Sequence, residues 1–235
     1  MTYKIIIIAL IIAQCIATPC YLVAIKPGFS KKTLLLKMLC STIFVATGVA
    51  AALYTGNIDT LYAKCFIIAF VCSWFGDVML HLEGNIVRYI IGGLGFLTAH
   101  VLFIYAYVKT AASVTGETAV ITVKDVIIMA VLYIIFAGVY IGLKLKGGKL
   151  LVPVMIYCLI LCFMFAKAIS LCLALVSVGN MGGILVGAGA ALFVLSDFML
   201  GVGFFGDKSY KKQVINMAAY FPAQMLLALS IMFVK

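Results

Sequence analysis

Residues 61–80 read LYAKCFIIAFVCSWFGDVML, and between Lys64 and Asp77 no charged side chain interrupts the run. A helix of about 20 such residues crosses the roughly 30 Å of hydrocarbon in a bilayer. The apolar residues are continuous rather than alternating, which excludes a strand of a membrane barrel. Working outward, seven more runs have the same character: 5–24, 34–54, 89–108, 126–143, 151–175, 182–203 and 214–234. The gaps carry turn formers, namely Lys26-Pro27-Gly28, Thr55-Gly56-Asn57, Glu83-Gly84-Asn85, Lys146-Gly147-Gly148 and Gly179-Asn180. The expected fold is all-α, a polytopic membrane helix bundle of about eight transmembrane helices. It forms a single transmembrane domain over 1–235, with no soluble domain or linker.

Composition agrees. Of 235 residues, 66% are hydrophobic and only 10% charged, with a mean hydropathy of +1.28. A soluble domain carries about 25% charged residues, so lipid must be the solvent for most of this surface. The net charge of +10 does not indicate nucleic acid, because the lysines sit in short gaps between apolar runs, where they set topology and meet anionic headgroups. The eight cysteines are scattered singly, Cys40, Cys65, Cys72, Cys158, Cys162 and Cys172 among them, with no C-x-x-C pair. They read as small hydrophobes rather than as a zinc knuckle or a disulfide framework. The run from Ile5 to Ala24 follows a lone Lys4 and continues past the region where a signal peptide would be cut, so it is expected to remain as the first helix.

Loop charge orients the bundle. Lys26, Lys31, Lys32, Arg88, Lys144, Lys146, Lys149, Lys208, Lys211 and Lys212 follow odd-numbered spans, against Lys4, Lys64, Lys109, Lys124 and Lys235 on the other side. Ten against five predicts non-cytoplasmic termini and places the exits of the odd spans in the cytoplasm.

A shift of 120 residues carries Gly76-Asp77-Val78-Met79-Leu80 onto Ser196-Asp197-Phe198-Met199-Leu200, Lys37 onto Tyr157, and His100 onto Tyr220. Four spans separate the copies, which predicts a parallel 4+4 repeat.

Five of the seven acidic residues, Asp59, Glu83, Glu117, Asp125 and Asp207, fall in loops or at helix edges, whereas Asp77 and Asp197 lie within spans. An aspartate in a span costs about 2.5–3.5 kcal/mol at the helix centre and is a functional candidate by default. The plainer alternative is that each only ties helices together. At matched depth the two carboxyls form an acid/base pair, one protonated as a donor and the other ionised. Asp197 is the deeper of the two and is expected to carry the proton. Lys37 lies one turn inside span two, where snorkelling is the plainer role. Tyr157, Tyr220 and Gln224 fall at the same level, the last two sharing a helix face, and His100 sits mid-span. With two histidines in the chain, a three-histidine zinc site is impossible, and no G-x-S-x-G elbow or phosphate-cradling loop occurs. Gly183, Gly187 and Ala191 read as a close-packing ladder.

At these residues the chain resembles the YhhN family of membrane lysoplasmalogenases. The likeness rests on Leu36-Lys37, Gly76-Asp77, Phe96 with His100, Tyr157, Leu195-Ser196-Asp197, and Tyr220 with Gln224, in that order. It covers the chain from about residue 30 onward. It departs at Phe221-Pro222, where a tyrosine and a small residue are expected. The resemblance implies hydrolysis of the vinyl ether bond of lysoplasmalogens to a fatty aldehyde and a glycerophosphoethanolamine or glycerophosphocholine. Asp77 and Asp197 would then be catalytic, with Lys37 receiving the phosphate and His100, Tyr157, Tyr220 and Gln224 contacting substrate or water. No cofactor or metal is expected. The implied partners are a lysophospholipid substrate and membrane lipid, with no nucleic acid, and the sequence selects no oligomeric state. The membrane is a bacterial plasma membrane, or an internal one in a eukaryote.

Two other classes fit the same carboxylates. A proton-coupled transporter would relay protons through them. An intramembrane aspartyl protease would share one proton between them, but Trp74 stands where such proteases carry glycine, and no Pro-Ala-Leu segment lies near the C-terminus.

Overall fold

The computed structural model describes residues 2–82, 86–145, 150–206 and 209–234. The turn formers Glu83-Gly84-Asn85 and Lys146-Gly147-Gly148, together with Lys149, Asp207, Lys208 and Lys235, lie outside the described residues. Among the described residues the chain forms eight helices and no strand: α1 (Thr2–Ala24), α2 (Lys31–Thr55), α3 (Leu61–His81), α4 (Ile86–Thr115), α5 (Val123–Gly142), α6 (Leu151–Ser177), α7 (Gly182–Phe205) and α8 (Tyr210–Ser230). Each overlaps one expected span. Several starts are fixed by side-chain caps. Ser30 and Thr33 close a capping box on α2, and Thr60 and Ser209 cap α3 and α8. Gly56, with φ of 70°, ends α2 in the left-handed conformation that glycine adopts without a steric cost.

Among the described residues, seven helices are long and apolar enough to cross a membrane. α8 is the exception, because it carries Asn216, Tyr220, Gln224 and Ser230, all buried. It packs on α7, α2, α1 and α3, so its polar face turns inward and lipid sees little of it. A central helix in a membrane bundle can be polar for that reason.

The packing follows the 120-residue shift. The neighbours α1–α2, α2–α3 and α3–α4 have counterparts in α5–α6, α6–α7 and α7–α8, and of the contacts between halves α4–α6 and α2–α8 exchange with each other, whereas α1–α8 and α3–α8 have no counterpart of like extent among the described residues. The halves differ in one helix. α1 packs on both α2 and α8, whereas α5 packs mainly on α6 and meets α7 through the rings of Phe136 and Tyr140, and Asp125 is the one buried residue of α5.

Close approaches occur where glycines permit them. A Cβ on Gly76 would sit 2.7 Å from the Phe96 ring, and one on Gly95 3.0 Å from the Cys72 carbonyl, so α3 and α4 touch backbone to backbone beside Asp77. Gly183 and Gly187 press α7 onto Cys172 of α6 in the same way. Ala191, the expected third rung of that ladder, is instead exposed.

Candidate functional site

Asp77 lies one turn before the end of α3 and is buried. Its polar partners come from two other helices, α2 and α8. Lys37 Nζ stands 3.0 Å from Oδ1, and Ser41, one turn along the same face of α2, donates to Oδ2 at 2.6 Å. The Tyr220 hydroxyl of α8 donates to the same oxygen at 2.8 Å. A cation and two hydroxyl donors suit an ionised carboxylate, since each interaction is stronger with the charge present.

Asp197 of α7 has a different set. Tyr157 of α6 donates to Oδ2 at 2.5 Å, and His100 Nε2 of α4 faces that oxygen at 3.6 Å. His100 Nδ1 lies 2.6 Å from the Phe96 carbonyl, which only accepts, so Nδ1 carries a hydrogen. A neutral His100 therefore turns a lone pair toward Asp197, and two acceptors would repel. At 3.6 Å the two stand beyond hydrogen-bonding distance, and a proton on either the carboxyl or Nε2 would make their approach favourable. No lysine or arginine pairs with Asp197 among the described residues.

The 120-residue shift maps one set onto the other: Lys37, Asp77 and Tyr220 correspond to Tyr157, Asp197 and His100. Each aspartate thus takes one partner from its own half and one from the other half.

Both carboxylates line a cavity of about 80 Å³ with Lys37, His81, Ser196, Asn216 and Tyr220. This cavity joins a larger apolar cleft of about 740 Å³ between α4, α5, α6 and α7, the two sharing Phe29, Phe96, Asp197, Leu200, Gln213 and Asn216. Ile90, Leu94, Val152 and Ile156 line the cleft yet remain exposed, so it opens sideways, toward lipid. Phe136 stacks on Phe198 at its α5 wall, and Ser209, Lys212 and Gln213 stand at its polar end. The cleft has the size of a small-molecule site and is lined almost wholly by apolar side chains.

The sequence-predicted residues divide accordingly. Lys37, Asp77, Asp197 and Tyr220 line the small cavity, and Tyr157 lines the cleft. His100 and Gln224 line neither. His100 stands behind Asp197, and Gln224 stands one turn behind Tyr220, fully buried.

Ser41 and the burial of Asp125 were missed. Asp125 does lie at a helix edge, as the N3 residue of the α5 capping box, but it is fully buried. It accepts from Lys167 Nζ at 2.7 Å and from the Ser170 hydroxyl at 2.7 Å, both on α6. Lys167 was the readable signal, because a lysine inside an apolar run requires an acidic partner at its own depth. No group of three or more histidine, cysteine or acidic residues is placed to hold a metal ion among the described residues.

Compared with known proteins, the chain matches no curated protein and no solved structure. The model of one protein family, YhhN, matches it over residues 32–231.

Proposed function

The chain belongs to the YhhN family, and from that membership and the geometry above we propose that it is a membrane lysoplasmalogenase. The observation that carries this reading is the pairing of two unlike carboxyls in one small cavity at the end of a chain-sized apolar cleft. One carboxyl is ion-paired with a lysine, and the other accepts from a tyrosine hydroxyl and faces a histidine nitrogen.

A vinyl ether resists base but opens once its β-carbon is protonated. In the proposed reaction the alkenyl chain lies in the cleft, with its enol ether against Asp197. The proton held between Asp197 and His100 passes to the β-carbon, and an oxocarbenium ion forms at the α-carbon. The Asp77 carboxylate, fixed by Lys37, Ser41 and Tyr220, stabilises that cation and accepts a proton as water adds to the α-carbon. The resulting hemiacetal collapses to the fatty aldehyde and the free glycerol hydroxyl, so one water is consumed and nothing is oxidised. The proton gained by Asp77 returns to the Asp197–His100 pair through the shared cavity. Lys37 is ion-paired with Asp77, and a phosphate headgroup would lie at the polar end of the cleft, lined by Ser209, Lys212 and Gln213. Loop charge supports a cytoplasmic mouth.

The test is aldehyde release from 1-alkenyl-lysophosphatidylethanolamine by detergent-purified protein. Asp77→Asn and Asp197→Asn, each shown to fold, should lose at least about 100-fold in kcat, the lower end of acid–base contributions. Full activity in either variant removes that residue from the mechanism. No product from folded wild type, across headgroups and pH, together with substrate-driven proton flux in liposomes, would favour proton-coupled transport instead.

A further inference from the structure

One helical turn behind Asp77, three polar atoms are sealed in the bundle with no hydrogen bond of ordinary geometry, Ser73 Oγ and both amide atoms of Gln224, the Gln224 amide lying near the Tyr220 hydroxyl. Ser73 precedes Asp77 by four residues on α3, and Gln224 follows Tyr220 by four on α8. The two helices touch and run in opposite directions, with Asp77 and Tyr220 meeting across the contact. One turn backward on α3 and one turn forward on α8 lead the same way through the membrane. Ser73 and Gln224 therefore share a layer, directly behind the Asp77–Tyr220 pair. Phe44, Phe70 and Phe193 wall it, through ring contacts with one another and with Tyr220.

Buried polar groups in folded proteins are satisfied by protein or by ordered water. Gln224 supplies donors and an acceptor, Ser73 a hydroxyl that does both, and the Tyr220 oxygen still accepts while its hydrogen goes to Asp77. These are the three to four partners that a buried water takes. We infer that Ser73, Gln224 and Tyr220 bind one internal water, which holds the Tyr220 phenol, and through it Asp77, in position. The water accepts from Gln224 Nε2 and the Ser73 hydroxyl, and donates to Tyr220 and to Gln224 Oε1 or a neighbouring oxygen. In the other half, the shift of 120 residues puts Phe193 in place of Ser73 and Ile104 in place of Gln224. The layer behind Asp197 is dry, so the water serves the ion-paired aspartate alone.

Ser73 and Gln224 act through Tyr220 and are positioning residues. The water stands whatever the substrate, and only its effect on turnover rests on the proposed hydrolysis. The experiment is a double-mutant cycle of Ser73→Ala and Gln224→Met, read by thermal unfolding in detergent and by kcat and KM for a lysoplasmalogen. Each single variant should lower Tm, and the double should fall little further, because the same water is lost each time. The kcat should drop roughly 10-fold at unchanged KM, as for a slightly misplaced catalytic group. A rise in Tm for Gln224→Met, as when an unpaired amide is simply relieved, would overturn the inference, as would strictly additive effects. If the variants do not fold, a high-resolution wild-type structure decides. Density within hydrogen-bonding distance of Ser73 and Gln224 supports the site, and its absence sinks it. Inactive wild type with a coupled cycle would fell the hydrolase reading and leave the water. Active wild type with an uncoupled cycle would do the reverse.

Discussion

Asp77 and Asp197 occupy equivalent positions in the two halves, yet Lys37 stands beside one and Tyr157 beside the other. That single difference sets their surroundings, because Asp77 has a cation 3.0 Å away, while Asp197 faces a phenol and an imidazole. Lys37→Met should therefore be the most damaging partner change. It strands a buried charge, at a cost on the order of 3–5 kcal/mol, and thermal unfolding in detergent should show it as a large fall in Tm. Tyr157→Phe removes one hydroxyl donor and should cost about 1–3 kcal/mol or less, with its main effect on kcat. Equal losses in the two variants would refute the assignment. Both aspartates were legible in the sequence because a carboxyl in an apolar run is conspicuous. Their partners were legible as a set, through the repeat, but not as pairs. Nothing in the sequence says that Tyr220 reaches Asp77 across 143 residues or that His100 backs Asp197. The Asp125–Lys167 pair was hidden because a capping aspartate looks the same whether it faces water or a buried lysine.

At the scale of single elements, α5 is the least anchored helix and forms a wall of the cleft. The ion pair and the Ser170 hydroxyl bond at its first turn hold it to α6. Lys167→Met leaves Asp125 buried and unpaired. It should loosen α5 selectively, which hydrogen exchange would register as faster exchange over 123–142 than over α7 or α8. Uniform protection after that change would show that α5 is held by other means. The α3–α4 crossing behaves oppositely. Gly76→Ala would drive a methyl into the Phe96 ring and should cost about 1–3 kcal/mol, with loss of activity, since Phe96 walls both spaces. Gly138→Ala, where a Cβ meets nothing within 4 Å, should be neutral or gain up to about 1 kcal/mol. The helices themselves were readable from apolar run length. α8 is less apolar than the rest because its inward face is polar, a property of its place in the bundle rather than of its local sequence.

At the scale of the whole molecule, the two halves complete each other, since Asp77 borrows Tyr220 and Asp197 borrows His100. Fragments 1–118 and 119–235 expressed separately should lack activity, and co-expression should restore a measurable part of it through reassociation in the bilayer. Activity in one fragment alone would contradict the exchanged pairing. The surface that joins the halves has a further consequence. Two identical four-helix units, meeting about an axis, would have possessed two matching sites and two matching mouths. Fusion into one gene lifts the demand that the units stay alike. Here one helix has closed against its neighbour while its twin stands away, and one lysine has no copy. A symmetric ancestor working twice would thus have become a single machine with a division of labour, one aspartate beside a lysine and its sister beside a phenol and an imidazole.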